Sequence, residues 1–424
     1  MLNRKKKSGD HLYLALFLYW LILLIWQNIR TAANRDGMDM VIKASLIVLL
    51  ALYFLYNSQS VNRYVMIVFL LFVSIYAVTK LTAEEFSFDD AMFYFFPLLM
   101  FLLTLGMGGK CTVTKKQLTQ LCYMLTFAVM YIVAYALIFQ PEKYLEAITV
   151  TNAYGNELTS FLTSNHEFGY YLSFGVMAAI LCLELDGRLN AGKKAYLITA
   201  IVLFSVSLIL TFSRTAIVAF AVMLFFYVVF SRRKTMRKVL AFTMLGAMVV
   251  IILIPPLREY FLLIVFKNNN DAGREALIDA GMTMFWRGTL LNKLFGYDRQ
   301  TAVQYLADTF QHGSFHNSYV QTLICNGLVG LSFLIGCLIY EVCNIYQTVK
   351  AAQQWKWLVK IFYGFLGALL VTMMFQTNNL FASSIDSYFL TFFAFVLPIY
   401  VNNAVRQGVF EADAADAGPA IKET

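Results

Sequence analysis

Residues 195–230 read AYLITAIVLFSVSLILTFSRTAIVAFAVMLFFYVVF. Two apolar runs, 195–212 and 216–230, are separated only by Ser213, Arg214 and Thr215. Neither run alternates apolar with polar residues as a barrel strand does, and backbone groups cannot go unpaired in lipid. Both therefore read as membrane-crossing helices joined by a tight turn. An arginine hemmed in at such a turn is costly, and ionisable groups there usually face the bundle interior and serve function. A snorkelling interfacial arginine is the alternative for Arg214. Its planar fork of donors stays charged and matches phosphate oxygens in a way lysine does not.

Working outward, the same texture fills the chain. With 60% hydrophobic and 14% charged residues over 424 positions, there is too little polar surface to coat a soluble globule. An apolar helix needs about 20 residues to cross the hydrocarbon. Twelve segments near that length are expected, at 12–28, 40–56, 62–79, 88–106, 118–139, 167–185, 195–212, 215–230, 239–256, 318–341, 357–376 and 384–403. The expected fold is an all-α polytopic membrane protein. Helices one to nine fill 1–256, a large loop spans 257–315, helices ten to twelve fill 316–404, and a disordered tail occupies 405–424.

The net charge of +8 informs by its placement. With the N-terminus cytoplasmic, eighteen basic residues fall in inward short loops and only five, Arg30, Arg35, Lys80, Lys143 and Arg214, in outward ones. That bias places both termini inside and the acidic residues Glu84, Glu85, Asp89 and Asp90 outside. Nothing in the basicity calls for nucleic acid. The start of the chain lacks a short apolar region ending in a cleavage site, so the first helix is expected to be retained. Cys111, Cys122, Cys182, Cys325, Cys337 and Cys343 form no CxxC pair, and neither disulfides nor a cysteine metal site is expected.

The loop at 257–315 is too long for a turn, and loops of that length are usually functional or disordered. Phe261, Leu262, Ile264, Val265, Leu277, Met284, Phe285, Trp286, Leu290 and Leu291 supply enough apolar surface to pack, so it is expected to fold against the membrane surface. A helix starting near Gly273, capped by Asp271 or the asparagines before it, would carry a stripe of Leu277, Gly281, Met284, Phe285 and Leu291. On it Arg274 and Arg287 point in different directions, and both reach one site only if the helix breaks near Gly281 or Gly288. A second outward loop, 140–166, holds Tyr144, Asn152, Tyr154, Asn156, Asn165 and His166, groups that suit a sugar.

Asp308, His312 and His316 are spaced by four, which on a helix would stack them as metal ligands. Gly313 and Ser314 inside that helix, and no further ligand nearby, argue against a metal. No cofactor is expected.

These features recur together in one known order. The chain resembles the O-antigen ligase and Wzy-type polysaccharide polymerase family of membrane glycosyltransferases. The resemblance rests on Ser213-Arg214-Thr215 at the tight turn, Gly273-Arg274 opening the large loop, Leu294-Phe295-Gly296 within it, and His316-Asn317 followed by Gly327-Leu328-Val329-Gly330. Trp286, Arg287 and Leu291 also fit a looser arginine, three residues, leucine pattern seen in the ligases. Where many relatives carry an Asn-rich or His-Pro-Asn element, this chain has Ser164-Asn165-His166-Glu167-Phe168-Gly169, which leaves no expected role for Asn165 or His166.

The resemblance implies a GT-C-like fold in the bacterial cytoplasmic membrane and glycosyl transfer on its outer face. The implied donor is a polyprenyl-diphosphate-linked oligosaccharide held among membrane lipid, with a flippase and a chain-length regulator as candidate protein partners. Cleaving the sugar–phosphate bond leaves a diphosphate anion, so fixed positive charge matters more than an acid. Arg214, Arg274 and Arg287 are the candidates. The attacking hydroxyl must lose a proton, and His316 is the natural base, with a carboxylate of the Glu84, Glu85, Asp89 and Asp90 loop as rival. Asn317 and Ser213 would support, and Gly327 and Gly330 would permit close packing that holds the histidine still. A single displacement inverts the anomeric centre. Polymerase is the favoured activity, O-antigen-type ligase the alternative, and a glycolipid flippase or exporter the reading from another class.

Overall fold

A computed structural model describes residues 12–33, 111–149, 158–255, 271–310, 314–377 and 385–410, apart from Thr163, Asp298 and Gln353, with a few single positions elsewhere. Every regular element among them is helical: α1 (Leu12–Ala33), α2 (Lys115–Phe139), α3 (Pro141–Thr149), α4 (Asn165–Leu185), α5 (Ala191–Leu210), α6 (Arg214–Phe230) and α7 (Lys234–Leu253). There follow α8 (Asp271–Arg287), α9 (Leu290–Phe295), α10 (Arg299–Phe310), α11 (Ser318–Ala351), α12 (Lys356–Phe375), α13 (Ile385–Thr391) and α14 (Leu397–Arg406). A π-helical turn, Phe392–Val396, joins the last two. Six helices among the described residues are long and apolar enough to cross a membrane: α2, α4, α5, α11, α12 and the continuous run Asp386–Arg406. The expected spans at 40–56, 62–79 and 88–106 lie outside the described residues.

Local chemistry explains where these helices begin. Thr114 closes a capping box on α2, its Oγ1 accepting from Gln117 N at 3.2 Å while Gln117 Oε1 accepts from Thr114 N at 2.8 Å. Asn190 caps α5 through Lys193 N at 2.8 Å, which starts that helix at Ala191, before its apolar run. α11 runs to Ala351, well beyond the expected end at residue 341. Glu341 is fully buried there and accepts from Asn344 Nδ2 at 3.4 Å, and Arg406 Nη2 donates to Asn344 Oδ1 at 2.8 Å, so these polar groups sit inside the bundle.

The bundle is built around α4, apolar on all sides and buried along nearly its whole length, as expected for a helix enclosed by others. α2, α5, α6 and α13 pack on it, and α12 packs along α6. Small residues allow the close approaches. A Cβ on Gly169 would stand 2.5 Å from Ala216 Cβ of α6, and one on Gly364 of α12 would stand 2.8 Å from Phe226 Cβ. An aromatic cluster joins the first and last helices to α4: Tyr171 and Phe389 meet edge-to-face at 4.6 Å between centroids, and Trp20 lies 5.6 Å from Tyr171.

The large loop folds as α8, α9 and α10 around a smaller core of its own. Leu277, Ala280, Met284 and Phe285 of α8 pack with Ala302 and Leu306 of α10, with Phe315 before α11, and with Val320, Leu323 and Ile324 in its first turns. The expected stripe is seen for Leu277, Gly281, Met284 and Phe285. Leu291 departs from it: α8 ends at Arg287, and Leu291 lies exposed on the separate helix α9. Phe261, Ile264 and Val265 fall outside the described residues.

Candidate active site

The tight turn between α5 and α6 is formed by Thr211, Phe212 and Ser213. Phe212 has φ +52°, a left-handed conformation uncommon for a bulky residue. Thr211 Oγ1 accepts from Ser213 N at 3.2 Å and donates to Leu208 O at 2.7 Å, locking the turn. Ser213 Oγ then caps α6 by accepting from Ala216 N at 3.4 Å. Arg214 is thereby the first residue of α6 and is half-buried.

The start of α4 grips this turn. Asn165 Nδ2 donates to Thr211 O at 3.0 Å, and His166 Nδ1 lies 2.8 Å from Ser213 Oγ. Ser213 Oγ thus bridges the α6 backbone and the imidazole, and either Oγ or Nδ1 can supply the hydrogen between them, depending on the His166 tautomer. Asn165 and His166, which the sequence offers only as sugar-suited groups at the end of an outward loop, therefore hold the arginine-bearing turn. Next to them Glu167 is buried, accepting from Tyr171 OH at 3.0 Å and from Gln27 Nε2 at 3.2 Å.

His316 and Asn317 sit where the loop re-enters the bundle. His316 has φ +49°, and its Nδ1 is enclosed by protein. Histidine is among the residues enriched in this left-handed region. Asn317 is the N-cap of α11: Oδ1 accepts from Tyr319 N and Val320 N, both at 3.0 Å, while Nδ2 donates to Met374 O at 3.1 Å. Ser318 Oγ adds a bond to Gln376 O at 2.7 Å. Both ends of the Asn317 amide are thus engaged in fixing the segment that carries His316. Asn317→Ala is expected to lower unfolding free energy by about 0.5–2 kcal/mol. Thermal unfolding in detergent measures this, and an unchanged midpoint would show that the cap contributes nothing.

The glycines after the histidine serve one crossing. Gly327, at φ +64° and ψ −168°, interrupts α11 in a backbone region open essentially to glycine alone. Gly296 has φ +88° and ψ −179° in the same region. A Cβ on Gly327 would stand 2.3 Å from the carbonyl of Leu294, and one on Gly296 would stand 2.3 Å from the Cys325 carbonyl carbon. Tyr297 N donates to Ile324 O at 2.7 Å to close the crossing. The Leu294-Phe295-Gly296 element and the glycine after His316-Asn317 are therefore two halves of one backbone contact. Gly330 differs from expectation: it makes room for Asn326 of its own helix rather than for a neighbour. Gly273, exposed with nothing within 4 Å of a built Cβ, is not required for packing.

The separate pieces meet at one end of the bundle. Along the α6–α12 contact, Gly367 abuts Val222 and Gly364 abuts Met223 and Phe226, so the helices run antiparallel and the end of α12 lies level with Arg214. Asn317 is bonded to that same end, through Met374. Arg274, half-buried near the start of α8, acts electrostatically on the Tyr170 hydroxyl, one turn along α4 from His166. Asp386, at the start of α13, acts on both Tyr170 and Tyr171. Arg214, Arg274, His166, His316 and Asp386 thus gather where α4, α6, α11 and α13 begin and α12 ends. Asp386 carried no signal in sequence, because an isolated carboxylate at a span boundary looks like any other interfacial residue.

Arg287 is not brought into this group. α8 runs unbroken through Gly281, so Arg287 stands about 20 Å along the axis from Arg274, exposed at the far end of the helix. The break at Gly288 lies beyond both arginines and cannot bring them together. Asp308 and His316 do not share one helical face: Asp308 lies on α10, whereas residues 314–317 are non-helical and His316 has a left-handed backbone. Among the described residues no three His, Cys, Asp or Glu side chains are placed to hold a metal ion. Tyr144 packs inward, its OH 3.0 Å from Ser207 Oγ. His312, Asn152, Tyr154, Asn156, Glu84, Glu85, Asp89 and Asp90 lie outside the described residues.

A helical bundle with several potential membrane spans and cationic and imidazole groups collected at one end defines a multi-pass membrane protein with an enzyme-like site. Residues 199–335 match the family model described as O-antigen ligase, a span that runs from α5 into α11 and includes Ser213, Arg214, Arg274, His316 and Gly327. This part of the chain is similar to the O-antigen ligase domain, and the match supports a membrane enzyme related to the O-antigen ligases and polymerases. No curated protein matches the chain.

Proposed function

We propose that the protein is a glycosyltransferase of the outer face of the bacterial cytoplasmic membrane, with a GT-C-like fold, that joins polyprenyl-diphosphate-linked repeat units into a polysaccharide. The observation that supports this best is the gathering of Arg214, Arg274 and His316 at one end of a lipid-embedded bundle, where a lipid-linked anion is presented. Arg214 and Arg274 hold the diphosphate. The acceptor hydroxyl oxygen attacks the anomeric carbon, the bond from that carbon to the phosphate oxygen breaks, and its electron pair leaves on the diphosphate. The hydroxyl proton passes to His316, at Nε2 because Nδ1 is enclosed. One displacement inverts the anomeric centre. The arginines, fixed before the reaction, need no reorganisation as the leaving group gains charge.

A ligase performs the same bond exchange on a different acceptor, and the description of the matching family favours that as the second reading. The two separate in a purified system. Reconstituted protein given one defined lipid-linked repeat should produce a ladder of lengthening chains. A single transfer seen only when another lipid or protein acceptor is added would establish the ligase instead, and no covalent product with either would remove both and favour an exporter. Arg274→Lys is expected to lower turnover by about two orders of magnitude, since a point charge replaces a planar fork at a developing anion. Wild-type turnover in that variant would take Arg274 out of diphosphate binding.

A further inference from the structure

Trp286, Leu290 and Leu291, on α8 and α9 of the loop domain, are 66%, 73% and 66% exposed. They adjoin two cations: Arg287 is exposed at the end of α8, and Lys293 Nζ lies 5.9 Å from the centroid of the Trp286 ring. α9, with sequence LLNKLF, has no acidic residue, and Glu275 and Asp279 lie roughly two or more turns back along α8.

The depth of this patch follows from α11. That helix has 34 residues. At about 1.5 Å each it would run about 51 Å, against a hydrocarbon core of about 30 Å. The interruption at Gly327 divides it unequally. Val320, Leu323, Ile324 and Cys325, before the interruption, belong to the small core of the loop domain, while the stretch from Leu328 to Lys350 is about 33 Å long and matches the hydrocarbon. Leu328, Ile335 and Ile339 are exposed along that stretch, as lipid-facing positions are. Gly327 therefore marks the membrane boundary at the site end. α9 is clasped to α11 at this level, through the Gly296–Gly327 crossing and the Tyr297 N to Ile324 O bond. A cluster of one tryptophan and two leucines flanked by cations, held at the hydrocarbon boundary, has the composition of an interfacial anchor.

We propose that Trp286, Leu290 and Leu291 are seated in the membrane leaflet at the site end, with Arg287 and Lys293 at its phosphate layer. The partner is phospholipid, favoured by anionic headgroups. The surface anchors the loop domain, so that Arg274 and His316, on the same small core, are held at a set height above the hydrocarbon. The inference concerns bilayer contact and stands whichever acceptor the enzyme uses.

The test uses the full chain in nanodiscs containing anionic lipid, one copy per disc. The protein has five tryptophans, so the Trp286 signal is the difference between wild type and Trp286→Phe. That difference signal should be quenched by lipids carrying a spin label near the top of the acyl chain and shielded several-fold from aqueous iodide relative to free tryptophan. The double variant Leu290→Asp and Leu291→Asp changes exposed positions only, and should lose the lipid quenching with the unfolding midpoint retained. Iodide quenching equal to that of free tryptophan, without response to the labelled lipid, would overturn the proposal. So would shielding that appears only in discs holding two copies, since a second copy of this chain would then be the occupant.

Discussion

His316→Ala is expected to lower glycosyl transfer by about two to four orders of magnitude, the usual contribution of a positioned general base. The midpoint of thermal unfolding should stay close to that of the parent, because α11 is capped by Asn317 and the site segment is tied to Met374 and Gln376, none of which needs the imidazole. His316→Asn adds a control: asparagine accepts the left-handed backbone at φ +49° as readily as histidine does, so strain is not introduced while the base is removed. Initial rates with a defined lipid-linked repeat, measured beside circular dichroism melts, decide the matter. If His316→Asn turns over like the parent, the proton goes elsewhere and the imidazole has no part in the chemistry. In cells the matching expectation is loss of long chains and accumulation of lipid-linked single repeats.

The second large effect is on folding. Gly327→Ala should destabilise the protein by several kcal/mol, made of about 1–3 kcal/mol for placing a side chain in a glycine-only backbone region and a further amount for separating two backbones now in contact. The added methyl would stand 2.3 Å from the Leu294 carbonyl, and a backbone cannot swing aside as a side chain can. Gly296→Ala should act in the same direction, since it meets Cys325 and Asn326 across the same crossing. Gly336 lies farther along α11 with nothing within 4 Å of a built Cβ, and Gly336→Ala should be neutral or slightly stabilising through helix propensity. Yield of folded protein and the unfolding midpoint in detergent separate the two classes. Equal midpoints for the alanine variants at 327 and 336 would mean the crossing does not hold the loop domain to α11.

The limits of sequence reading are visible at particular residues. The ends of most described helices were legible from apolar runs, because a membrane helix must be apolar over its whole crossing. α11 was read short at 341 because Glu341, Asn344 and Lys350 lower local hydropathy, whereas in the structure Glu341 is buried beside Asn344 and the helix continues. Periodicity alone puts Leu291 on one stripe with Leu277, since nothing in it signals that α8 stops at Arg287. Arg287 looked equivalent to Arg274 for the same reason: both stand in the large loop, and only an unbroken α8 carries them apart. The neighbours of His166 depart from the pattern of many relatives and give no sign of its place, yet its ring lies 2.8 Å from Ser213 Oγ.

The amino-acid order by itself determined a chain of apolar helices, a tight turn presenting Arg214, a folding loop in place of a flexible one, and a histidine-asparagine pair followed by glycines. These follow from local requirements: hydrocarbon length, capping, and backbone regions open only to glycine. What meets what was decided by the tertiary structure alone. His166 against Ser213, the charge of Arg274 within electrostatic reach of Tyr170, Asn317 on the end of α12 and Gly296 across Gly327 all depend on how helices are ordered and rotated. The physical reason lies in helices such as α4, which is apolar on every side: no stripe in its sequence tells which face a neighbour will take, and packing of small residues such as Gly169 against Ala216 makes that choice.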